Sequence, residues 1–388
     1  MPTLKYLKKF EKDLDYYFSE ILEFPYAKPQ WIYMSLTHNC TYECKMCSVV
    51  RILKEYELPL DTAKKALNEI AAWGRDCEVV ITGGEPFLRA DIFELFDYGV
   101  SKNIKMEVVS NGACIDESLS YKIISSGIQN IAISLDGAQE ATHDFVRQKG
   151  SFKKAVNAIT NLVRAKKKTG GGPQISVWTT IMKENVNELF DVIRLVKDLG
   201  VECLVFHPVI VAQDDMQNTS SEAPFWIGED KLYALKGQID KIVKYQAKYG
   251  LVAFLHDPYL WLKYFEGTLT KQDWKCNPFV FANIGPDGNF RSCGSAFGNI
   301  KAAGIESCLH TQQADKARRS MKMCTKPCLQ TCWAYPEADS LTQIIKRFIL
   351  GVRESGLEQK EKRCLIEKGL YVLETYEAIL SEKSHVCT

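Results

Sequence analysis

The sequence predicts an α/β protein built on a parallel sheet. Three observations carry this: short apolar runs recur between residues 31 and 208, segments of helical period separate them, and turn residues mark most boundaries. Strand–helix alternation of this kind forms βαβ units. Six or so strands fit an open or partial barrel, and ligands of parallel α/β folds collect at the carboxyl ends of the strands.

The elements follow in order. Residues 3–22 place Leu4, Leu7, Phe10, Leu14, Tyr17 and Phe18 near helical spacing. WIYMSL (31–36) reads as the first strand. A helix follows at 61–73 with Asp61 as N-cap, then the strand CEVVIT (77–82), a helix at 90–100 and the strand IKMEVVS (104–110). A helix at 116–126 precedes NIAISL (130–135). Residues 151–168 form a helix ending in Lys166, Lys167 and Lys168 before Gly170. A basic last turn followed by glycine is ordinary helix-end chemistry, not a nucleic-acid patch. A strand (174–182), a helix (186–199) and the strand VECLVFHP (201–208) complete the series. Residues 209–229 read as a polar loop on the substrate side, 230–249 as a helix, and 341–382 as helical. The expected domains are a helical segment at 1–28, a barrel at 29–230, a helical connector at 231–264, a cysteine-rich domain at 265–340 and a helical tail at 341–388.

A net charge of +1 gives no global field for nucleic acid or anionic membrane. No apolar run is long enough to span a bilayer, and the N-terminus lacks a signal-peptide core, so a cytoplasmic setting is expected. There, fourteen cysteines point to metal or redox work rather than disulfides. The scattered ones, Cys77, Cys114, Cys203, Cys308, Cys364 and Cys387, read as small hydrophobes.

Cys40, Cys44 and Cys47 form a CxxxCxxC cluster directly after the first strand. Three thiolates on one loop can hold three corners of a cubane, which normally takes four cysteines, so one iron is left open. With His38 as fourth ligand, the same residues also fit zinc. Further on, Thr82-Gly83-Gly84-Glu85-Pro86 ends the second strand. Its glycines let backbone approach a ligand, and Glu85 can pair with an ammonium group. Ser110-Asn111-Gly112 ends the third strand, although Asn-Gly is also a turn pair. Ser134-Leu135-Asp136-Gly137 ends the fourth, and Arg147 follows.

In this order, these elements resemble the radical S-adenosylmethionine (SAM) superfamily over residues 31–208. The resemblance implies a partial (β/α)6 TIM-like barrel. It also implies a [4Fe–4S] cluster on Cys40, Cys44 and Cys47, whose open iron is chelated by SAM. An electron from the reduced cluster breaks the sulfonium C–S bond, and the 5′-deoxyadenosyl radical abstracts a substrate hydrogen. Gly83, Gly84 and Glu85 match the family's GGE motif at the SAM amine. Ser110 and Asn111 match its (S/T)NG element. Ser134 and Asp136 match its SLDG element, with Ser134 facing ribose or methionine. Met46 stands where members carry a large side chain near adenine. Arg147 resembles an arginine on the SAM side; read alone, it is a surface salt bridge.

Cys276, Cys293, Cys324, Cys328 and Cys332 make a second group. IGPDGNFRSC reads as a hairpin turning at Asp287-Gly288, which would bring Cys276 and Cys293 together. The layout resembles the SPASM or twitch extension of some radical SAM enzymes. Here CxxxCxxxC replaces the full CxxCx5CxxxC pattern. One auxiliary [4Fe–4S] cluster is therefore implied, held by Cys276, Cys293 and two of Cys324, Cys328 and Cys332. A zinc-stapled domain is the reading the residues leave open.

The resemblance implies an oxidation or bond formation on a peptide or a small molecule, fed by a donor such as flavodoxin or ferredoxin. Gly294 stands where sulfatase maturases carry an aspartate base, which counts against that activity. Only about 30 residues precede the first strand, shorter than the peptide-recognition domain of many peptide maturases. No catalytic base stands out; His256, Asp257, Tyr259 and Glu266 read as structure. A non-catalytic iron–sulfur or zinc protein is the alternative, disfavoured by three motifs that a carrier has no need for.

Overall fold

The computed structural model describes residues 2–47, 49, 56–74, 77–210, 224–254, 257–270, 272–273, 276–325, 328–329 and 341–384. His256, Cys332, Cys387 and most of the 209–229 loop lie outside the described residues. The chain forms two compact units, Met1–Lys28 with Tyr335–Thr388, and Pro29–Ala334.

In the larger unit, six strands lie parallel in chain order: β1 (Trp31–Ser35), β2 (Glu78–Thr82), β3 (Lys105–Ser110), β4 (Asn130–Ser134), β5 (Gln174–Ile181) and β6 (Cys203–Pro208). Each was legible as an apolar run, because these strands send alternate side chains to opposite faces. On one face Ile32, Met34, Val79, Ile81, Met106, Val108, Ile131 and Ile133 are buried in the main core. Helices cover that face. Among them are α2 (Leu60–Ala72), α3 (Ile92–Ser101), α4 (Glu117–Ile124), α5 (Glu140–Val146), α6 (Ser151–Thr169) and α7 (Leu189–Asp198). On the other face stand Ser35, Thr82, Val109 and Ser134, at the carboxyl ends of their strands.

The sheet continues beyond these six. A two-residue strand β7 (Val252–Ala253), after helix α8 (Glu229–Tyr249), pairs with β6. After the short helix α9 (Leu260–Phe265), β8 (Phe281–Ile284) returns to the opposite edge and pairs parallel with β1, Trp31 against Phe281. The antiparallel strands β9 (Asn289–Ser292) and β10 (Ser295–Asn299) complete a ten-stranded sheet. The hairpin expected at Asp287-Gly288 is present, with Gly288 at φ +86°. It is part of the main sheet rather than of a separate layer.

One local reading needs correction. Asp61 lies inside the first turn of α2, whose N-cap is Pro59 without a side-chain bond. The C-terminal helical stretch is two helices, α12 (Leu341–Glu354) and α13 (Gln359–Ser384), which follow α10 (Ile300–Leu309) and α11 (Gln312–Met323). The lysine run does end α6: Gly170 is left-handed, its N–H bonds the Lys166 carbonyl, and Lys166 Nζ reaches Glu202 at 2.7 Å.

In the smaller unit α1 (Pro2–Leu22) packs on α12 and α13. Phe10, Leu14 and Phe18 meet Ile344, Phe348 and Val352, and the rings of Phe10 and Phe348 stack at 4.2 Å. Among the described residues no helix is long and apolar enough to cross a membrane.

Candidate active site

The first cysteine cluster sits on a loop whose neck is closed by several bonds. Leu58 N–H donates to the Leu36 carbonyl at 2.9 Å, and Thr37 and Glu57 form a bridge. Glu57 accepts from Thr37 Oγ1 at 2.9 Å and from Asn39 Nδ2 at 3.1 Å. Arg89 Nη1 then donates to the Leu36 and Leu58 carbonyls at 3.2 and 2.8 Å, while Asp91 holds its other edge at 2.6 Å. No motif in the sequence marked Arg89. An Arg-x-Asp pair reads as surface, yet this guanidinium joins both ends of the cysteine loop.

The glycines of the GGE segment dock on the same loop. Gly84 N–H donates to the Thr37 carbonyl at 2.7 Å and Glu85 N–H to the Asn39 carbonyl at 2.8 Å. A Cβ on Gly84 would lie 1.9 Å from the Asn39 carbonyl oxygen, and one on Gly83 (φ +124°) 2.5 Å from that of Thr37. The close backbone approach expected of these glycines is thus made to the cysteine loop, although both residues also line the cavity.

Glu85 lies beneath these glycines' strand end. Its side chain is 0% exposed. The carboxylate accepts from Ser110 Oγ at 2.8 Å, Asn111 N–H at 2.9 Å and Phe87 N–H at 3.3 Å. Burial pushes its carboxyl up, against the pull of these donors and of Arg147. Glu85 therefore fastens the end of β2 to the end of β3 and does not line the cavity. Asn111, held this way, turns Nδ2 onto Cys40 Sγ at 3.5 Å and Thr41 Oγ1 at 3.0 Å.

Asp136 is likewise fully buried and off the cavity wall. It accepts from Arg147 Nε at 2.6 Å and from Thr180 N–H at 2.8 Å. Arg147 is not a surface partner: its side chain is 11% exposed and it lines the cavity. Just before it, the Val146 carbonyl accepts from Lys45 N–H at 2.9 Å, which ties the cysteine loop to α5.

Together these contacts enclose a cavity of about 280 Å³. Cys40, Cys44 and Cys47 line it with Met46, and Ser110, Asn111, Ser134 and Arg147 face them. His38, Tyr42, Val49, Thr82 and Val109 join the wall. Of these the sequence singled out His38 and, as the start of the glycine motif, Thr82. Thr82 and Val109 had a signal, since they share the sheet face of Ser134 at neighbouring strand ends. Burial pushes the Cys40 thiol up and that of Cys44 to about 11, the latter against the pull of Arg147. A cationic metal group reverses that balance. Three convergent thiols and an amide donor on one of them fit an iron–sulfur group.

The C-terminal cysteines are less complete. Cys293 (φ +45°) and Gly294 (φ +77°) form the turn between β9 and β10, and Cys324 caps α11. Among the described residues no three His, Cys, Asp or Glu side chains close around a single ion in either region. Asp257 accepts from Tyr259 N–H at 3.0 Å, Tyr259 Oη donates to Asp240 at 2.8 Å, and Glu266 accepts from Thr268 at 3.2 Å, so these three are local structure.

Residues 34–196 match the radical SAM superfamily. An AdoMet-dependent heme synthase of Methanosarcina barkeri is 29% identical over 201 residues, 51% of this chain and 56% of that protein. Mycofactocin maturase MftC of Mycolicibacterium smegmatis is 28% identical over 200 residues, covering 51% and 46%. The chain thus spans about half the length of the curated relatives it matches. In fold it is similar to Streptococcus suis SuiB bound to precursor peptide SuiA, with a TM-score of 0.61 at 12% identity over 78% of this chain and 72% of that one. It is also similar to native anSMEcpe with bound AdoMet, with a TM-score of 0.60 at 14% identity over 89% and 100%. With the cysteine loop and the strand-end motifs inside the matched stretch, residues 34–196 of this chain are a radical SAM domain.

Proposed function

We propose that the chain is an enzyme that reductively cleaves SAM and abstracts a hydrogen from a peptide or small-molecule substrate. The observation that carries this is the single cavity shared by three thiols of one loop and polar residues from successive strand ends. When bound, a [4Fe–4S] cluster supplies the electron that breaks the sulfonium C–S bond. Cys40, Cys44 and Cys47 would hold it. The Gly83–Gly84 backbone, Ser110, Asn111, Ser134 and Arg147 offer polar contacts for the amino acid and ribose parts of SAM, and Met46 offers an apolar surface for adenine. Glu85 and Asp136 are positioning residues, which set Asn111 and Arg147.

The substrate class draws support from the named relatives, which include a maturase and heme synthases. An auxiliary [4Fe–4S] cluster on Cys276, Cys293 and two of Cys324, Cys328 and Cys332 belongs to the same reading. So do a flavodoxin or ferredoxin donor and a cytoplasmic setting that keeps thiols reduced. Iron counting after anaerobic reconstitution tests the cluster assignment. About eight irons are expected in wild type, and about four in either a Cys40→Ala/Cys44→Ala/Cys47→Ala or a Cys276→Ala/Cys293→Ala variant. Equal iron in wild type and the first variant would refute the primary site.

A further inference from the structure

We infer that His143 is a positioning residue for SAM: its ring holds the backbone of Asp136, and through Asp136 it sets the Arg147 guanidinium in the cavity wall. The inference rests on the proposed SAM site. His143 lies on α5 and is 0% exposed. Its Nδ1 accepts from Asp136 N–H at 3.0 Å, and its carbonyl accepts from Arg147 N–H at 3.0 Å. One residue is thus bonded to both members of the buried pair, whose Arg147 Nε and Asp136 Oδ2 meet at 2.6 Å.

The turn after β4 is built for this contact. A Cβ on Gly137 would lie 2.9 Å from the His143 backbone nitrogen, so only glycine there lets α5 close on the turn. From the other side Asn185 Nδ2 donates to the Asp136 carbonyl at 2.8 Å, and Glu188 accepts from Ala138 N–H at 3.0 Å. Asp136 is held at its carboxylate by Arg147 and Thr180, at its carbonyl by Asn185 and at its N–H by His143. Fixing its peptide fixes where its carboxylate stands. That in turn fixes where Arg147, which lines the cavity with the three cysteines, presents its guanidinium to the carboxylate of a bound SAM.

Packing alone does not account for a histidine here. Because Nδ1 accepts, the ring proton is on Nε2. That N–H is buried and has no hydrogen-bond partner among the described residues. A buried donor without a partner costs stability, which a leucine would avoid. The edge-on contact with Phe152, at 5.9 Å between ring centroids, would serve an apolar side chain equally well. What leucine lacks is an acceptor for Asp136 N–H. Burial pushes the imidazole down to about 4, helped by Arg147 and opposed by Asp136 and Asp144, so Nδ1 stays an acceptor at neutral pH.

The test uses the reconstituted full chain, with SAM itself as the probe. Its dissociation constant is measured by equilibrium dialysis and bound iron is counted in parallel. In His143→Asn the amide oxygen takes the place of Nδ1, and SAM affinity is expected to stay within about twofold of wild type. In His143→Gln the acceptor sits one bond further out, and affinity is expected to fall on the order of tenfold with iron unchanged. In an Arg147→Met background the same His143→Gln change is expected to cost nothing more, because its effect runs through the guanidinium. Equal affinities in the Asn and Gln variants, or an undiminished loss in the Arg147→Met background, overturn the positioning role. So does loss of iron in His143→Gln, which a purely structural role would cause. A wild type that loads iron and binds no SAM overturns the proposed function itself.

Discussion

Gly84→Ala is expected to remove iron from the first site while leaving the barrel folded. The added Cβ would stand 1.9 Å from the Asn39 carbonyl oxygen and 2.5 Å from its carbon. Both are backbone atoms, so no side chain can swing aside. The bonds from Gly84 N–H to Thr37 and from Glu85 N–H to Asn39 must break for the loop to shift. Overpacking of this kind costs about 1–3 kcal/mol, which a domain of this size survives. β2 is paired on both sides in the sheet, so the displacement falls on the cysteine loop. The expected result is about four irons fewer per chain after reconstitution, with an unchanged far-ultraviolet circular dichroism spectrum. Wild-type iron content in the variant would show that the loop does not depend on this docking.

The second large effect is on stability. Asp136→Ala leaves the guanidinium of Arg147 buried without its counter-charge and Thr180 N–H without an acceptor. Breaking a buried pair by removing one partner costs about 3–5 kcal/mol. Chemical denaturation of the variant should show a loss of that order. The double variant Asp136→Ala/Arg147→Met should recover much of it, since the orphaned charge goes too. Equal losses in the single and double variants would mean that the orphaned guanidinium costs nothing and that the loss comes from the other contacts of Asp136.

These two residues mark where reading the sequence succeeds and where it stops. The strands were legible because Ile32, Met34, Val79 and Ile81 fall on one face of each strand, a pattern with period two. The motif positions were legible because they end those strands. What each motif touches was not. Glu85 read as a ligand-facing carboxylate, and nothing in the sequence showed that it also joins Ser110 to Asn111. Arg147 read alone was a surface salt bridge and is only 11% exposed, because the fold brings Asp136 under it.

Long-range pairing left no local trace at all. The partner of Trp31 is Phe281, and α1 packs against helices near the other end of the chain. Arg89 shows the same limit. Its carbonyl acceptors at Leu36 and Leu58 lie far away in sequence, and no side-chain pattern announces a bond to backbone oxygen.

The central claim is that Cys40, Cys44 and Cys47 support SAM cleavage. The most direct measurement is 5′-deoxyadenosine release from SAM under anaerobic reduction, by wild type and by the Cys40→Ala/Cys44→Ala/Cys47→Ala variant. Release by wild type and none by the variant is the expected result. Absence of 5′-deoxyadenosine from a reconstituted, fully iron-loaded wild type would contradict it.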